Sequence, residues 1–388
     1  MRAALLLLSL VALRPAGASA QSLLSAAGLG VPVESLDARA RALGGLGLGV
    51  FGPSLLPSDP AAPADLRLPS VAFTLGGSWV DVDEGNGTLS DASGTRFPFL
   101  AASYPARSLG VLTVSYGSVL DQRWRTRVEH LVPLEETSAR VTDTFFSDGG
   151  VAALRLGFAS RIAPSLALGG AVGMYTGETT RRGSRSFDSV DVVVAIPDFQ
   201  TEGTWRYSGF NATVGAIVDV AEVLRVAASL DWPGSLEAEP ASSEVTESRS
   251  YHLPVTLRVG ASGVLAPGLV VTVGASQADW SGTADDTGEA TGRTARTFGG
   301  GLEFTRASLS GRDTPLRLGW RRSDLPFSLL GEEPSETVLA GGLGLNLVQV
   351  EDLPRARLDF SLERGRREAG SLSESFWRAS MGLQVSGF

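Results

Sequence analysis

Along much of the chain apolar and polar residues alternate one by one. In Leu224–Trp232, the residues Leu224, Val226, Ala228, Leu230 and Trp232 alternate with Arg225, Ala227, Ser229 and Asp231. In Tyr251–Ala261, Tyr251, Leu253, Val255, Leu257, Val259 and Ala261 share one face, and His252, Pro254, Thr256, Arg258 and Gly260 share the other. Ala356–Glu363 sets Ala356, Leu358, Phe360 and Leu362 against Arg357, Asp359, Ser361 and Glu363. A period of two belongs to a strand whose two faces meet different surroundings. Read this way, strands fall near 69–83, 95–105, 108–122, 149–162, 166–178, 203–217, 224–234, 249–262, 269–280, 294–307, 314–322, 336–349, 354–366 and 373–387. The connections alternate in character. Those at 106–107, 163–165, 218–223, 263–268, 308–313 and 350–353 are tight. Those at 84–94, 123–148, 179–202, 235–248, 281–293, 323–335 and 367–372 are mostly longer, and polar or acidic. Short turns at one end and long loops at the other are the topology of an outer-membrane barrel, and closure removes unpaired sheet edges. The expected fold is all-β: a transmembrane antiparallel β-barrel of about 14 strands, with both termini on the periplasmic side.

A soluble sandwich alternates too, so composition changes the picture here. Mean hydropathy is +0.11, yet no stretch beyond the N-terminus has the about 20 apolar residues that a spanning helix requires. Diffuse hydrophobicity without long apolar runs follows when lipid-facing and lumen-facing residues alternate. The N-terminus reads as an export signal: Arg2, an apolar run over Ala3–Leu13, then Ala18-Ser19-Ala20 before Gln21. The chain divides into residues 1–20 (signal peptide), 21–66 and 67–388 (barrel). There is no cysteine, which removes disulfides and thiolate chemistry. The net charge of −9 argues against nucleic acid, which needs a basic face.

Residues 22–65 do not read as a barrel strand. Within Leu36–Leu48 a short helical turn followed by a glycine-rich stretch is expected, and Phe51–Pro63 is then proline-broken. This segment is expected to fold into the lumen as a hatch, with Leu43, Leu46, Leu48, Val50 and Phe51 as candidates to line an apolar ligand pocket; the alternative is a segment that sits in the periplasm. The arginines Arg155, Arg225, Arg258, Arg317, Arg357 and Arg378 lie on polar strand faces and are lumen-lining candidates. They read either as a solvated, charge-paired lining or as a guide for an anionic head group. Tyr104, Tyr116, Phe158, Tyr175, Trp205, Tyr207, Trp232, Tyr251, Trp280, Trp320, Phe360 and Trp377 read as an interfacial girdle.

Catalytic and cofactor chemistry finds little support. The two histidines, His130 and His252, sit in no motif that pairs them with a serine and an acid. Asp81–Gly87 carries oxygen ligands suited to calcium but lacks the spacing of an EF-hand loop, and reads as an acidic surface loop. The glycines of 44–49 follow no strand and the chain has no lysine, so a phosphate loop is not indicated. No catalytic residue, metal or cofactor is assigned.

The order Ala40-Arg41-Ala42-Leu43-Gly44-Gly45, then Asp59-Pro60-Ala61-Ala62, then the first strand resembles the hatch of FadL-type long-chain fatty-acid transporters. That family has asparagine where Asp59 stands. Leu253–Gly260 leading to a strand that ends Asp279-Trp280-Ser281, and Pro315-Leu316-Arg317-Leu318-Gly319-Trp320, resemble strands of its second barrel half. The first half and the connection 123–148 match poorly. The resemblance implies a barrel with an N-terminal plug that passes hydrophobic molecules without its own energy source and releases them through a lateral opening at a strand kink. The expected function is passive uptake of hydrophobic, fatty-acid-like small molecules across the outer membrane. Expected partners are that ligand, outer-membrane lipids and the barrel-assembly machinery. The alternatives are a non-transporting barrel acting as an assembly or secretion partner, and a general diffusion porin. An apolar tunnel would favour transport; a lumen shut by arginine–carboxylate pairs would favour the structural role.

Overall fold

The computed structural model describes residues 22–387, apart from 84–88, 107–108, 134–137, 188–197, 243–246, 288–290, 310–311, 330 and 351–352. The export signal at 1–20 and the terminal Phe388 lie outside the described residues. Fourteen antiparallel strands close into one barrel. They are β1 Ser70–Asp83, β2 Leu89–Pro105, β3 Val111–Asp121 continued by Trp124–Pro133, β4 Ser138–Ala163, β5 Leu166–Phe187, β6 Phe199–Val220 and β7 Leu224–Pro240. The second half comprises β8 Arg249–His252 continued by Thr256–Ala266, β9 Leu269–Asp279, β10 Thr294–Phe304, β11 Leu316–Asp324, β12 Ser335–Val350, β13 Leu353–Ala369 and β14 Leu372–Ser386. The seam between β14 and β1 is paired from Ser386↔Ser70 to Ser373↔Asp83.

The alternation does what the sequence implies. Leu154, Leu156 and Phe158 on β4, Val214 on β6, Leu257 and Val259 on β8, and Leu318 on β11 are exposed on the outer wall. Arg155, Arg225, Arg258 and Arg317, of opposite parity, are buried in the lumen. Large apolar side chains facing outward over the whole wall suit hydrocarbon rather than water.

Three departures from the sequence reading have physical causes. First, 123–148 and 179–202 are not simple loops. β4 has 26 residues and β5 has 22, against about 9–11 needed to span. Their far ends, with Trp124–Pro133, form sheet beyond the regular alternation, where polar and apolar residues mix on both faces and the hydrophobic period is lost. Second, 281–293 contains a helix, α2, at Ser281–Thr287, and the turn 308–313 carries the small pairing Ser308–Leu309 with Arg312–Asp313. Third, β8 slips phase at Leu253-Pro254-Val255. Tyr251 is buried inside the barrel, whereas Val255, Leu257 and Val259 are exposed outside. Proline breaks the ladder there because it has no N–H to donate.

One wall contact is incomplete. β2 pairs with β1 as far as Leu89↔Asp83, but with β3 only from Pro105↔Val111 to Phe99↔Gly117. Above that point β3 keeps its partner β4 with a register shift at Ser118/Leu120, and turns away at Gln122-Arg123. Among the described residues, no pairing joins the upper parts of β2 and β3.

Candidate functional site

Residues 22–69 enter the lumen. A 3₁₀ turn at Leu23–Ala26 is capped by Ser22, whose Oγ accepts from the Leu24 N–H. Val31 and Pro32 then pair with Asp121 and Leu120 of β3. The Val33 N–H donates to the Val119 carbonyl at 2.8 Å, and Ser35 Oγ donates to the Ser118 carbonyl at 2.7 Å. This hatch strand therefore takes the edge of β3 next above the last residue bonded to β2. A helix, α1, follows at Ala38–Ala42, capped by Asp37, which accepts from the Ala40 N–H at 2.7 Å.

The glycine-rich stretch seats the hatch. The inward positions of the wall beside it are also glycine: a Cβ on Gly319 would overlap the Gly44 nitrogen, one on Gly260 the Leu48 carbonyl, and one on Gly169 the Pro60 carbonyl. Backbone lies on backbone, which only glycine permits. The following turn is fastened by Asp59, which is 2% exposed. Its Oδ2 accepts from the Gly49 N–H at 3.0 Å, while its Oδ1 has no hydrogen-bond partner. Burial pushes the Asp59 carboxyl up to about 6.

Of the hatch candidates, Leu43, Leu46, Leu48 and Val50 are buried and Phe51 is half-buried, but they pack onto the wall. Leu43 lies against Gly301, Leu46 against Gly274 and Leu48 against Gly260. The Val50 carbonyl accepts from Arg225 at 3.5 Å, and Phe51 lies under the same guanidinium at 5.6 Å. Above the hatch is a cavity of about 200 Å³, and its floor comes from other hatch residues, Val31–Leu36, Arg41, Gly45, Pro57 and Ser58. Of the lumen arginines, Arg155, Arg258 and Arg378 reach this cavity. Arg225 is held below it by Asp65 at 2.9 Å and Asp219 at 2.7 Å. Arg317 sits between Glu303 and Asp359, each at 2.7 Å, and Arg357 meets Asp359 at 2.6 Å.

The cavity has two unlike walls. On the side of β10–β14, buried charges interlock. Glu363, with no side-chain exposure, faces Arg41, Arg321 and Arg378 at 3.4, 3.5 and 3.3 Å. Glu336 joins Arg321 and Arg367, each at 2.8 Å. Glu374 meets Arg367 and receives the Ser22 hydroxyl and the Leu23 N–H. On the side of β4–β9, Tyr175, Tyr207, Tyr251, Trp280 and Phe327 form an apolar cluster with Leu29, Leu120 and Leu236. Trp280 meets Phe327 edge-on at 5.5 Å. Tyr207 donates to Gln122 Oε1 at 3.0 Å, next to the bend of β3. Tyr175 and Trp280 face the cavity itself.

Five aromatics assigned to the girdle, Tyr175, Trp205, Tyr207, Tyr251 and Trp280, are thus interior. Trp79, Tyr104, Trp232, Trp320 and Trp377 are exposed outside, as a girdle requires. The break at Pro254 was the available signal for Tyr251; nothing in the sequence marks Phe327, which lies outside any strand. Glu34, another residue missed, meets Arg258 at 3.2 Å across the cavity floor. His252 is exposed and bonded to Asp286 at 2.9 Å, outside the lumen. Among the described residues no three acidic or histidine side chains converge on a metal position; the core of Asp81–Gly87 lies outside them.

With this geometry in view, the fold can be compared with solved structures. No family model and no curated protein matches the sequence. The toluene transporter TbuX of Ralstonia pickettii superposes with a TM-score of 0.60 at 14% identity, over 92% of this chain and 99% of that one. A FadL homologue of Pseudomonas aeruginosa gives 0.58 at 12%, over 93% and 99%. The toluene transporter TodX of P. putida gives 0.57 at 12%, over 92% and 99%. The chain has the fold of FadL-type outer-membrane channels.

Proposed function

We propose that this barrel carries small hydrophobic molecules passively through the outer membrane, a transport rather than a catalytic role. The single observation that carries the reading is the position of the hatch strand. Val31–Ser35 lines the cavity on one side and, on the other, bonds the β3 edge where β2 departs. A ligand resting against Tyr175 and Trp280 is separated from a lateral exit by one short strand. Shifting that strand opens a path sideways without disturbing the closed seam. The cavity is of the order of the about 150 Å³ that holds a benzene ring, so single-ring hydrocarbons such as those named for TbuX and TodX suit it better than a whole long acyl chain. Outer-membrane lipids and the barrel-assembly machinery are the further partners that such a barrel needs.

The cysteine-free chain allows a direct test. Val33→Cys with Val119→Cys should form a disulfide across the hatch–β3 pairing. Cells carrying the oxidised pair should take up radiolabelled toluene no faster than cells without the protein, and reductant should restore uptake. Full uptake by the locked protein would remove the lateral route.

A second reading, a non-transporting barrel serving assembly or secretion, draws support from the charged wall of β10–β14. That network fills one side of the lumen and fixes the hatch. Absence of any hydrocarbon uptake by the unlocked protein would favour it.

A further inference from the structure

The outer wall carries arginines at the end of the barrel with the longer connections, and they fall into two sets. On β5 and β6 each faces a carboxylate: Arg182 meets Glu202 at 2.5 Å and Arg206 meets Glu178 at 3.8 Å. On β11 and β13 the setting differs. Arg322 is exposed, and its cross-strand neighbours are Phe298 and Thr337. Arg364 is exposed, and its neighbours are Leu339 and Trp377. Its guanidinium lies 5.2 Å from the Trp377 ring and donates to Ser375 Oγ at 3.1 Å. Arg366, two residues on, faces Thr337 and Ser375 and pairs with exposed Glu368 at 2.8 Å.

The register sets these residues in two rows across adjacent strands. The lower row runs Trp320, Leu339, Arg364, Trp377, Trp79. The upper row runs Arg322, Thr337, Arg366, Ser375, Asp81. With strands about 4.8 Å apart and residues about 3.3 Å along each, the three arginine side chains originate within roughly 12 Å of one another. Indole rings mark the headgroup level of a bilayer. The arginines therefore sit at and just above that level, on the outer leaflet, with apolar wall below them.

We propose that this patch on β11–β13 binds a phosphorylated lipid of the outer leaflet, one whose head group carries two phosphates. The chemistry fits on three counts. Guanidinium forks bind phosphate oxygens bidentately, whereas an ammonium offers only a point charge. A pair of phosphates matches the spread of three cations. The acyl chains of the lipid would run down the exposed apolar wall under Trp320, Leu339 and Trp377, so charge and hydrocarbon are recognised together. The nearby acids are Glu368, which pairs with Arg366, Asp81, and Asp324, which is engaged by Arg293 at 3.8 Å; none makes an ion pair with Arg322 or Arg364. The opposite side of the barrel, with its arginines matched to Glu178 and Glu202, lacks this surplus.

The test uses the full-length protein refolded in detergent and titrated with diphosphorylated lipid A, with the same lipid stripped of phosphate, and with phosphatidylglycerol. Thermal unfolding should shift upward with diphosphorylated lipid A only. In R322S/R364S/R366S the half-saturating concentration should rise on the order of a hundredfold at low salt, from three lost charge contacts. The single variant R322S, which leaves the Trp377 contact intact, should show a smaller rise and guards against a folding defect. R182S/R206S should titrate like the parent. Equal shifts with dephosphorylated lipid or phosphatidylglycerol would overturn the proposal. So would an unchanged titration of both Arg322-containing variants.

Discussion

The two sides of the lumen solve different problems. The wall of β10–β14 holds interlocked charges: Glu303, Asp359, Glu363, Glu336 and Glu374 meet arginines from the wall and from α1. The wall of β4–β9 is aromatic and bears Tyr175, Tyr207, Tyr251 and Trp280. Charges taken out of water are tolerable only when each has its partners in place, so the charged side is fixed in geometry. An apolar cluster carries no such demand, and its side chains can yield to a guest of similar size. The hatch is bound to the first side through Ser22, Arg39 and Arg41. It also meets the second, through Glu34 with Arg258 at 3.2 Å and Asp65 with Arg225 at 2.9 Å, but there Tyr175 and Trp280 leave an apolar face on the cavity. The comparison teaches that one wall holds the hatch by interlocked charge while the other keeps an apolar face for a guest.

The largest expected effect removes the element shared by both walls. A barrel of this strand number is wider than the small barrels that side chains alone can fill. Deleting residues 22–65 should leave the fourteen strands and their seam intact, since the hatch adds only a short pairing to the β3 edge and none of the bonds that join the fourteen strands to one another. Planar-bilayer recordings should then show large single-channel currents from the deletion and almost none from the intact protein. Near-zero current from both would mean that the two walls close the lumen by themselves. High current from both would indicate a diffusion porin.

Next come substitutions within each wall. Glu363→Leu strips the carboxylate from Arg41 and Arg378 at once and leaves Arg321 only Glu336. Leaving buried cations unopposed costs about 3–5 kcal/mol, to be read from urea unfolding in detergent. On the aromatic side, Trp280→Ala removes a ring packed edge-on to Phe327. Its cost should be at the low end for such truncations, about 3 kcal/mol, because Trp280 borders the cavity. Toluene uptake should fall with Trp280→Ala more than with Glu363→Leu at equal folded protein. The reverse order would exchange the roles of the two walls.

A third contrast sets inside against outside on β8. Leu257 is exposed to lipid and Thr256 lines the cavity. Leu257→Arg should destabilise by roughly 2–4 kcal/mol near the midplane, where lipid offers no partner. Thr256→Arg should be tolerated. Similar losses for both would mean that β8 has no lipid face.

How much of this was legible in the sequence follows from what alternation can report. It reports a strand only where the two faces differ, so the spanning parts of β4, β7 and β13 were readable. The outer parts of β3, β4 and β5 were not, because polar and apolar residues mix on both faces. Parity also carries across a strand only while the ladder is regular. Tyr251 was placed on the lipid face because the slip at Pro254 was not allowed for. The hatch was readable as a non-strand segment, and its arginine partners as polar-face residues. Which hatch residues face the cavity was not readable. That depends on where Gly260, Gly301 and Gly319 let the backbone dock, a contact between segments more than two hundred residues apart in the chain. Glu34 and Phe327 had no local pattern at all.

The smallest expected effect concerns Asp59, and it tests whether the hatch is equally secure at its far end. There, beside the ion pairs of Asp65 with Arg161 and Arg225, the glycine turn is fastened by one buried carboxylate with a single oxygen used. The nearest cation, Arg225, is already engaged by Asp65 and Asp219. Burial raises the folded carboxyl to about 6 from the model-peptide value of 3.8. A raised acid holds its proton more tightly in the folded state than in the unfolded one. Its contribution to stability is therefore fully present below pH 3.8 and is lost as pH rises to about 6. Asp59→Asn keeps the shape and an oxygen for the Gly49 N–H but has no charge to bury. Hydrogen exchange at the Gly49 amide should quicken in the parent, beyond the intrinsic pH dependence, between pH 4 and about 7, and should show no excess in Asp59→Asn. The two proteins should converge at low pH, where Asp59 is neutral. The same pH response in both would assign the loosening to another group. No response in either would mean that the glycine docking at Gly44–Gly49 holds this end without help from Asp59, making both ends of the hatch equally fixed and narrowing the contrast between the two walls to the cavity alone.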